Sequence, residues 1–515
     1  MKISVWLMFQ LLTQPTLSRL FHNHAGWPNV QPPLRALQPT VVAKDRYIVN
    51  GTGIPDVDFD VGESYAGLIP ITSDPDEEDK LFFWYFVSSN DLATDEILIW
   101  LNGGPGASSL EGLLEENGPF LWQFGTFKPV SNPWTWLNLT NVVWVEQPIG
   151  TGFTQGKASA TTEEEVAQQF LGFWHNFVDT FDMQGREIYI AGESYAGMYI
   201  PYIAEAMFAE NDPAYYNLQS TMLFDPLLNN EAVMQQVPAV AFVDHWNNLI
   251  RLNQTFMRDI RHRAITCGYS QFLEENIRYP PPAILPSPPQ LDLEAEAAGT
   301  YPEECDIWNS IVEAAMLINP CFDIYQIATT CPLLWDVLGF PGTLQYLPEG
   351  AQVYFDRPEV KSAINAPQVP WSEASPRVIY NTTSGFSENW FKNQFTGLTV
   401  LPSVIEHSKR TVIGHSGLGF ILLSNGTLMT IQNMTWGGLQ GFQSPPKDDF
   451  FVPYHTELSK STMAGAGIVG KTHTERGLTF LSIEGSGHMG PQYAPAAAYR
   501  ALEFLLGRIP SLTYQ

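Results

Sequence analysis

Positive charge is scarce in this chain: 26 Lys and Arg stand against 54 Asp and Glu, a net charge of −28 over 515 residues. That excludes a nucleic-acid surface, which needs clustered cations to neutralise phosphates. Long apolar runs are missing beyond the N-terminus, so no membrane-spanning helix is expected. Cysteine is limited to four residues, Cys267, Cys305, Cys321 and Cys331, and no C-x-x-C pattern occurs. Nothing in the chain calls for a metal or another cofactor, and no Gly-Lys-Ser/Thr follows its glycine-rich loop, which disfavours a nucleotide P-loop. No internal repeat is visible.

What is present points to secretion. Lys2, the apolar Val5 to Leu12 and the small residues of Thr16-Leu17-Ser18 read as a signal peptide over 1–18. Six N-x-S/T sequons follow, at Asn50, Asn138, Asn253, Asn381, Asn425 and Asn433. An even, clustered set of cysteines behind a signal suggests two disulfides. Three connectivities are open, and the nested one, Cys267 with Cys331 and Cys305 with Cys321, is the expectation. A secreted or vacuolar destination follows, and the acidic surface suits it.

With 44% hydrophobic residues and 15 Trp the chain can build a large core. Strand-like runs occur at Leu81–Ser88, Ile97–Leu101, Val142–Val145, Ile188–Ala191, Thr411–Gly414 and Thr479–Glu484. An amphipathic helix lies between the third and fourth, with Val166, Phe170, Phe173, Phe177 and Phe181 on one face and a Thr162/Glu165 capping box at its start. Strand, helix, strand order predicts a mostly parallel sheet. The segment 236–395 differs in character. It carries every cysteine and the proline-dense stretch from Tyr279 to Pro289, and it reads as a disulfide-stapled cap. The expected organisation is an α/β domain over 19–235 and 396–515, interrupted by that cap.

The strand Ile188–Ala191 runs into Gly192-Glu193-Ser194-Tyr195-Ala196-Gly197, a G-x-S-x-G pattern. It describes a tight strand-to-helix turn that lifts a serine hydroxyl above a sheet, with glycines where a Cβ would clash. The helix after it would hold Pro201 in its first turn, where a missing N–H is tolerated. Asn102-Gly103-Gly104-Pro105-Gly106 leaves another strand and can aim N–H groups at an anion. Gly485-Ser486-Gly487-His488-Met489 leaves the last strand. Serine first and histidine last suits an α/β-hydrolase.

Together these segments resemble the fungal secreted serine carboxypeptidases over about residues 40 to 510. The matching motifs are Trp100 to Gly106, Glu115-Glu116-Asn117-Gly118-Pro119, Glu146 to Phe153, Gly192 to Gly197 and Gly487-His488-Met489. The resemblance implies an α/β-hydrolase fold, Ser194 as nucleophile, His488 as base, and the N–H groups of Gly104 and Tyr195 as oxyanion hole. It implies that Asn102, Gly103, Glu116 and Glu193 hold the carboxylate of a peptide or small acyl substrate. Carboxyls facing a carboxylate must share a proton, which favours cleavage at acidic pH.

One motif departs. The triad acid of the family precedes a Phe-Ile pair after a late strand, and here Gly419 stands there, before Phe420 and Ile421. No Asp or Glu occurs between Glu406 and Asp448; Glu484, Asp448 and Asp449 are the candidates for an acid that enters from elsewhere in the chain. Ala107 and Gly490 are smaller departures, from cysteine and from a branched apolar residue. A carboxypeptidase-like hydrolase is the leading expectation. The alternatives are an acyltransferase or specialised hydrolase, and a catalytically impaired relative.

Overall fold

The computed structural model describes residues 44–513 except 75, 283–301, 341–349, 393 and 457–461. The signal segment and most of the proline-dense stretch lie outside the described residues. Eleven strands form the main sheet: β1 (Ile48–Val49), β2 (Ser64–Pro70), β3 (Lys80–Phe86), β4 (Glu96–Leu101), β5 (Val142–Glu146), β6 (Glu187–Glu193), β7 (Leu218–Phe224), β8 (Arg410–Ser416), β9 (Asp448–Val452), β10 (Gly467–Glu475) and β11 (Leu478–Ile483). Their order across the sheet is β1-β2-β3-β5-β4-β6-β7-β8-β11-β10-β9.

The six strands from β5 to β11 in that order run parallel, and antiparallel strands flank them on both sides. This is the α/β-hydrolase arrangement inferred from the motifs. Each of the six expected strands is found. Helix α1 (Glu163–Phe181) packs with α2 (Ala196–Glu210) on one face. Ile97, Ile99 and Leu101 of β4 join that core, while Leu98 and Trp100 point into the core on the other face. Both sides of the strand are thus covered, which is why it reads as an unbroken apolar run.

Thr162 caps α1 as expected, its Oγ1 accepting the Glu165 N–H at 3.3 Å. The reciprocal half of the box is displaced by one residue, because Glu165 reaches the N–H and hydroxyl of Thr161 instead. Pro201 is not in the first turn of α2 but inside the helix. It cannot donate to the Gly197 carbonyl, and the Thr396 hydroxyl does so instead at 2.7 Å.

Between β7 and β8 the chain leaves the sheet. Helices α3 (Ala239–Ile250), α4 (Gln254–Thr266), α5 (Tyr269–Asn276) and α6 (Ile307–Ile318) build a separate core with Leu418, Phe420, Leu423 and Met429. Farther on, Tyr354, Phe355, Trp371, Ile379 and Tyr380 pack back into the cores of the sheet.

The disulfides join Cys267 to Cys305 and Cys321 to Cys331, with Cα separations of 5.8 and 5.2 Å. The nested expectation is corrected. Cys305 precedes α6 and Cys321 follows it, so a 12-residue helix holds them roughly 18 Å apart, beyond disulfide reach. Of the sequon asparagines, Asn50, Asn138, Asn253 and Asn381 are exposed, and Asn425 and Asn433 are half-buried.

Candidate active site

Four loops leave the C-terminal ends of adjacent parallel strands, where open α/β sheets bind ligands. They carry Asn102–Gly104 after β4, Ser194 after β6, Asp225 after β7 and Gly417–Gly419 after β8. A fifth, after β11, carries His488. Ser194 has φ +59, a left-handed conformation that a serine adopts only under local constraint. Its N–H donates to the Phe224 carbonyl at 3.0 Å and its carbonyl accepts the Leu227 N–H at 2.9 Å. The serine is half-buried, while its neighbours Glu193 and Tyr195 are buried.

The glycine loop lies against this turn. A Cβ on Gly103 would strike the Tyr195 nitrogen and stand 2.9 Å from Ser194 Cβ, so glycine is required by close approach. The N–H groups of Gly104 and Tyr195 donate to no acceptor among the described residues. Two buried carboxyls brace the surroundings. Glu163 Oε1 accepts the hydroxyls of Tyr195 at 2.8 Å and Tyr380 at 2.6 Å. Glu146 accepts from Ser108 Oγ, Trp371 Nε1 and the Phe153 N–H, tying the glycine loop to the segment after β5. Burial pushes both acids up to about 7.

Beside the serine is a buried acid cluster. Asn102 Nδ2 faces Glu193 Oε1 at 3.0 Å, Glu116 Oε1 at 3.3 Å and Glu111 Oε2 at 3.4 Å. Its own carbonyl is fixed by Trp100 Nε1 at 2.6 Å. Glu116 Oε2 and Glu193 Oε2 accept no hydrogen bond among the described residues. Burial raises Glu116 to about 8, and burial with neighbouring carboxylates raises Glu193 and Glu111 well above their usual range. At acidic pH the cluster is protonated and can donate hydrogen bonds. The three carboxyls offer oxygens within 4.8 Å of one another, yet an amide donor already points at each of them. That arrangement suits shared protons and an anion rather than a cation. Glu111 belongs to this group and was not singled out from sequence.

His488 is buried, its N–H donates to the Tyr325 carbonyl at 2.7 Å, and the Tyr325 ring meets it edge-on at 5.3 Å. Among the described residues neither ring nitrogen has a hydrogen-bond partner. Burial lowers its pKa to about 4, against an opposing pull from Asp225. A Cβ on Gly419 would lie 3.5 Å from the His488 nitrogen and Cα, so residue 419 does adjoin the histidine. The three candidate acids of the sequence lie at the surface, whereas His488 is buried. Glu484, Asp448 and Asp449 are exposed, and Asp449 pairs with Lys471 at 2.6 Å. A surface cleft lined by Lys44, Glu63, Tyr85 and Asn90 contains none of these site residues.

Comparison with known proteins decides the family. The serine carboxypeptidase family model matches residues 55–507. The chain belongs to the serine carboxypeptidase family. It is 55% identical over 478 residues to a probable serine carboxypeptidase of Arthroderma benhamiae, covering 91% of this chain and 87% of that protein. It is 41% identical over 469 residues to the serine-type carboxypeptidase F of Aspergillus niger, covering 89% and 86%. The crystal structure of a prohormone-processing carboxypeptidase from Saccharomyces cerevisiae superposes with a TM-score of 0.69 at 23% identity, over 90% of this chain and 96% of that one. That likeness supports the fold. Family membership makes the chain a carboxypeptidase-like serine hydrolase.

Proposed function

We propose that the protein removes C-terminal residues from peptides at acidic pH through an acyl-enzyme on Ser194. The observation that carries this reading is the buried set of Asn102, Glu111, Glu116 and Glu193 beside the strained serine. A protonated carboxyl cluster with an amide at its centre can bind a peptide's terminal carboxylate without a cation. Ser194 then attacks the last peptide carbonyl and passes its proton to His488. The N–H groups of Gly104 and Tyr195 receive the oxyanion. His488 returns the proton to the leaving amine, and water reverses the sequence to release the shortened peptide.

The pH window follows from the two shifts. His488 must be unprotonated, which holds above about 4. The cluster must keep its protons, which holds below about 8 for Glu116. The cysteine pairs and the N-terminal signal pattern support a route through the secretory pathway, and no helix among the described residues is long and apolar enough to cross a membrane.

The test compares a peptide with its C-terminal amide across pH 3–9. The free acid should be cleaved with kcat/KM rising near pH 4 and falling near pH 8, the second change residing in KM. The amide, which lacks the anion, should be the poorer substrate below pH 8. Equal rates for acid and amide at every pH would defeat the assignment of the cluster. Hydroxyl acceptors added to the acid reaction would reveal acyl transfer if the acyl group passes to them in preference to water. Absence of any turnover by freshly folded protein would favour an impaired relative.

A further inference from the structure

We propose that Asp225, at the end of β7, is the acid that supports His488 in this chain, in place of a residue at 419. It is a positioning residue, and the proposal rests on reading Ser194 and His488 as nucleophile and base.

The geometry around Asp225 is specific. Its backbone has φ +44, and its N–H donates to the Gly414 carbonyl of β8 at 2.9 Å. Phe224, just before it, and Leu227, two residues after it, grip the nucleophile, the first through its carbonyl and the second through its N–H. Asp225 therefore sits in a loop locked to Ser194. Its side chain is buried and turned toward β8. Oδ1 accepts the Ser416 N–H at 3.0 Å and the Ser416 hydroxyl at 2.5 Å. His415 Nδ1 lies 3.0 Å from the same oxygen, an electrostatic contact whose angle falls short of a hydrogen bond. Oδ2 is buried without a hydrogen-bond partner among the described residues.

A side chain on Gly419 would approach the serine that Asp225 holds. A Cβ there would come within 2.9 Å of Ser416 Oγ, the atom bound to Asp225, and 3.5 Å from the His488 backbone. The φ of Gly419 lies outside the left-handed range, so the backbone itself does not demand glycine. A side chain at 419 would press on the Ser416 hydroxyl that Asp225 holds, and a carboxylate there would add a second buried charge beside that contact. Loss of one acid and burial of the other fit together.

Charge agrees with geometry. Asp225 is the carboxylate whose field favours the charged form of His488, while His415 opposes it. When Ser194 gives its proton to His488, the imidazolium gains the favourable field of Asp225. No atom is transferred to the acid.

Four proteins decide the matter: wild type, Asp225→Asn, Ser416→Ala/Gly419→Asp, and Asp225→Asn with both of those changes. Each is followed by fluorophosphonate labelling rate and by NMR titration of the His488 ring. Asp225→Asn should slow labelling by about 100-fold, less than the ~10⁴ lost when a directly bonded triad acid becomes its amide. Its His488 midpoint should move to lower pH, and the combined variant should recover both. An unmoved midpoint with an unchanged labelling rate would overturn the proposal. Ser416→Ala/Gly419→Asp supplies a test that does not need Asp225→Asn to fold. With an acid already in service, it should gain less than about tenfold, and a larger gain toward the ~10⁴ scale of a missing acid would also overturn it. If wild type fails to label at all, the carboxypeptidase reading falls, and the His488 midpoint still decides whether Asp225 acts on the ring.

Discussion

At the scale of single residues, Glu163 shows how a buried acid serves a reaction it does not touch. Its Oε1 receives two phenols, one of them from Tyr195, the residue proposed to offer its backbone N–H to the oxyanion. Glu163→Gln keeps an acceptor oxygen and should leave kcat within a few-fold. Glu163→Leu strands two buried hydroxyls, at about 1–3 kcal/mol each, and frees the Tyr195 ring. We expect kcat to fall about tenfold or more with KM little changed, since a shifted oxyanion donor acts on the transition state. Steady-state kinetics with a denaturation midpoint checks both parts. Sequence motifs pointed to Ser194, Glu193, Asn102, Glu116 and His488 because each lies in a short pattern with a geometric reason. Asp225 and Glu111 escaped because they lie in none. Asp225 precedes a proline, the ordinary signature of a turn. Only the pairing of β7 with β8 reveals that its carboxyl meets Ser416.

At the scale of elements, α2 depends on a residue almost two hundred positions away. Pro201 leaves the Gly197 carbonyl without its helical donor, and Thr396 fills the gap across a wholly buried contact. Thr396→Val is nearly isosteric and should cost about 1–3 kcal/mol through the unmet carbonyl alone. A urea midpoint shifted down with unchanged slope would bear this out, and an unshifted midpoint would show that water replaces the hydroxyl. Four of the six strands found from sequence have a continuous apolar run, such as Glu96–Leu101, buried along its whole length. Those missed carry misleading residues. Leu218–Phe224 is equally buried but includes Gln219, Ser220 and Thr221, and Ser64–Pro70 holds a glycine and ends in proline. Their place in the sheet comes from neighbours on both sides, which local pattern cannot supply. The segment 236–395 differs in character in the sequence, but its cysteine pairing was not legible there, because only helix α6 sets which sulfurs can meet.

At the scale of the whole molecule, the net charge read from sequence conceals where the acids are. Glu111, Glu115, Glu116, Glu193 and Glu373 are buried near one another, and burial followed by other carboxylates raises Glu111, Glu115, Glu193 and Glu373 well above their usual range. With Glu116 at about 8 and Glu146 and Glu163 at about 7, the folded chain holds protons that the unfolded chain releases near 4.5. Since the folded values are raised, this stability is fully present below about 4.5 and is lost as pH climbs through the folded values. Each such proton contributes a slope of about 1.4 kcal/mol per pH unit within its window. His488 runs the other way, being lowered to about 4, but it is one group against several. Growing self-repulsion of a chain with 54 acidic residues adds to the loss at higher pH. The unfolding temperature should therefore be highest near pH 4–5 and fall steadily toward pH 8, a course that calorimetry at constant ionic strength would follow. A Tm that rises over that interval would mean that the carboxyls ionise inside the fold without cost, and the proton-sharing account of substrate binding would fall with it.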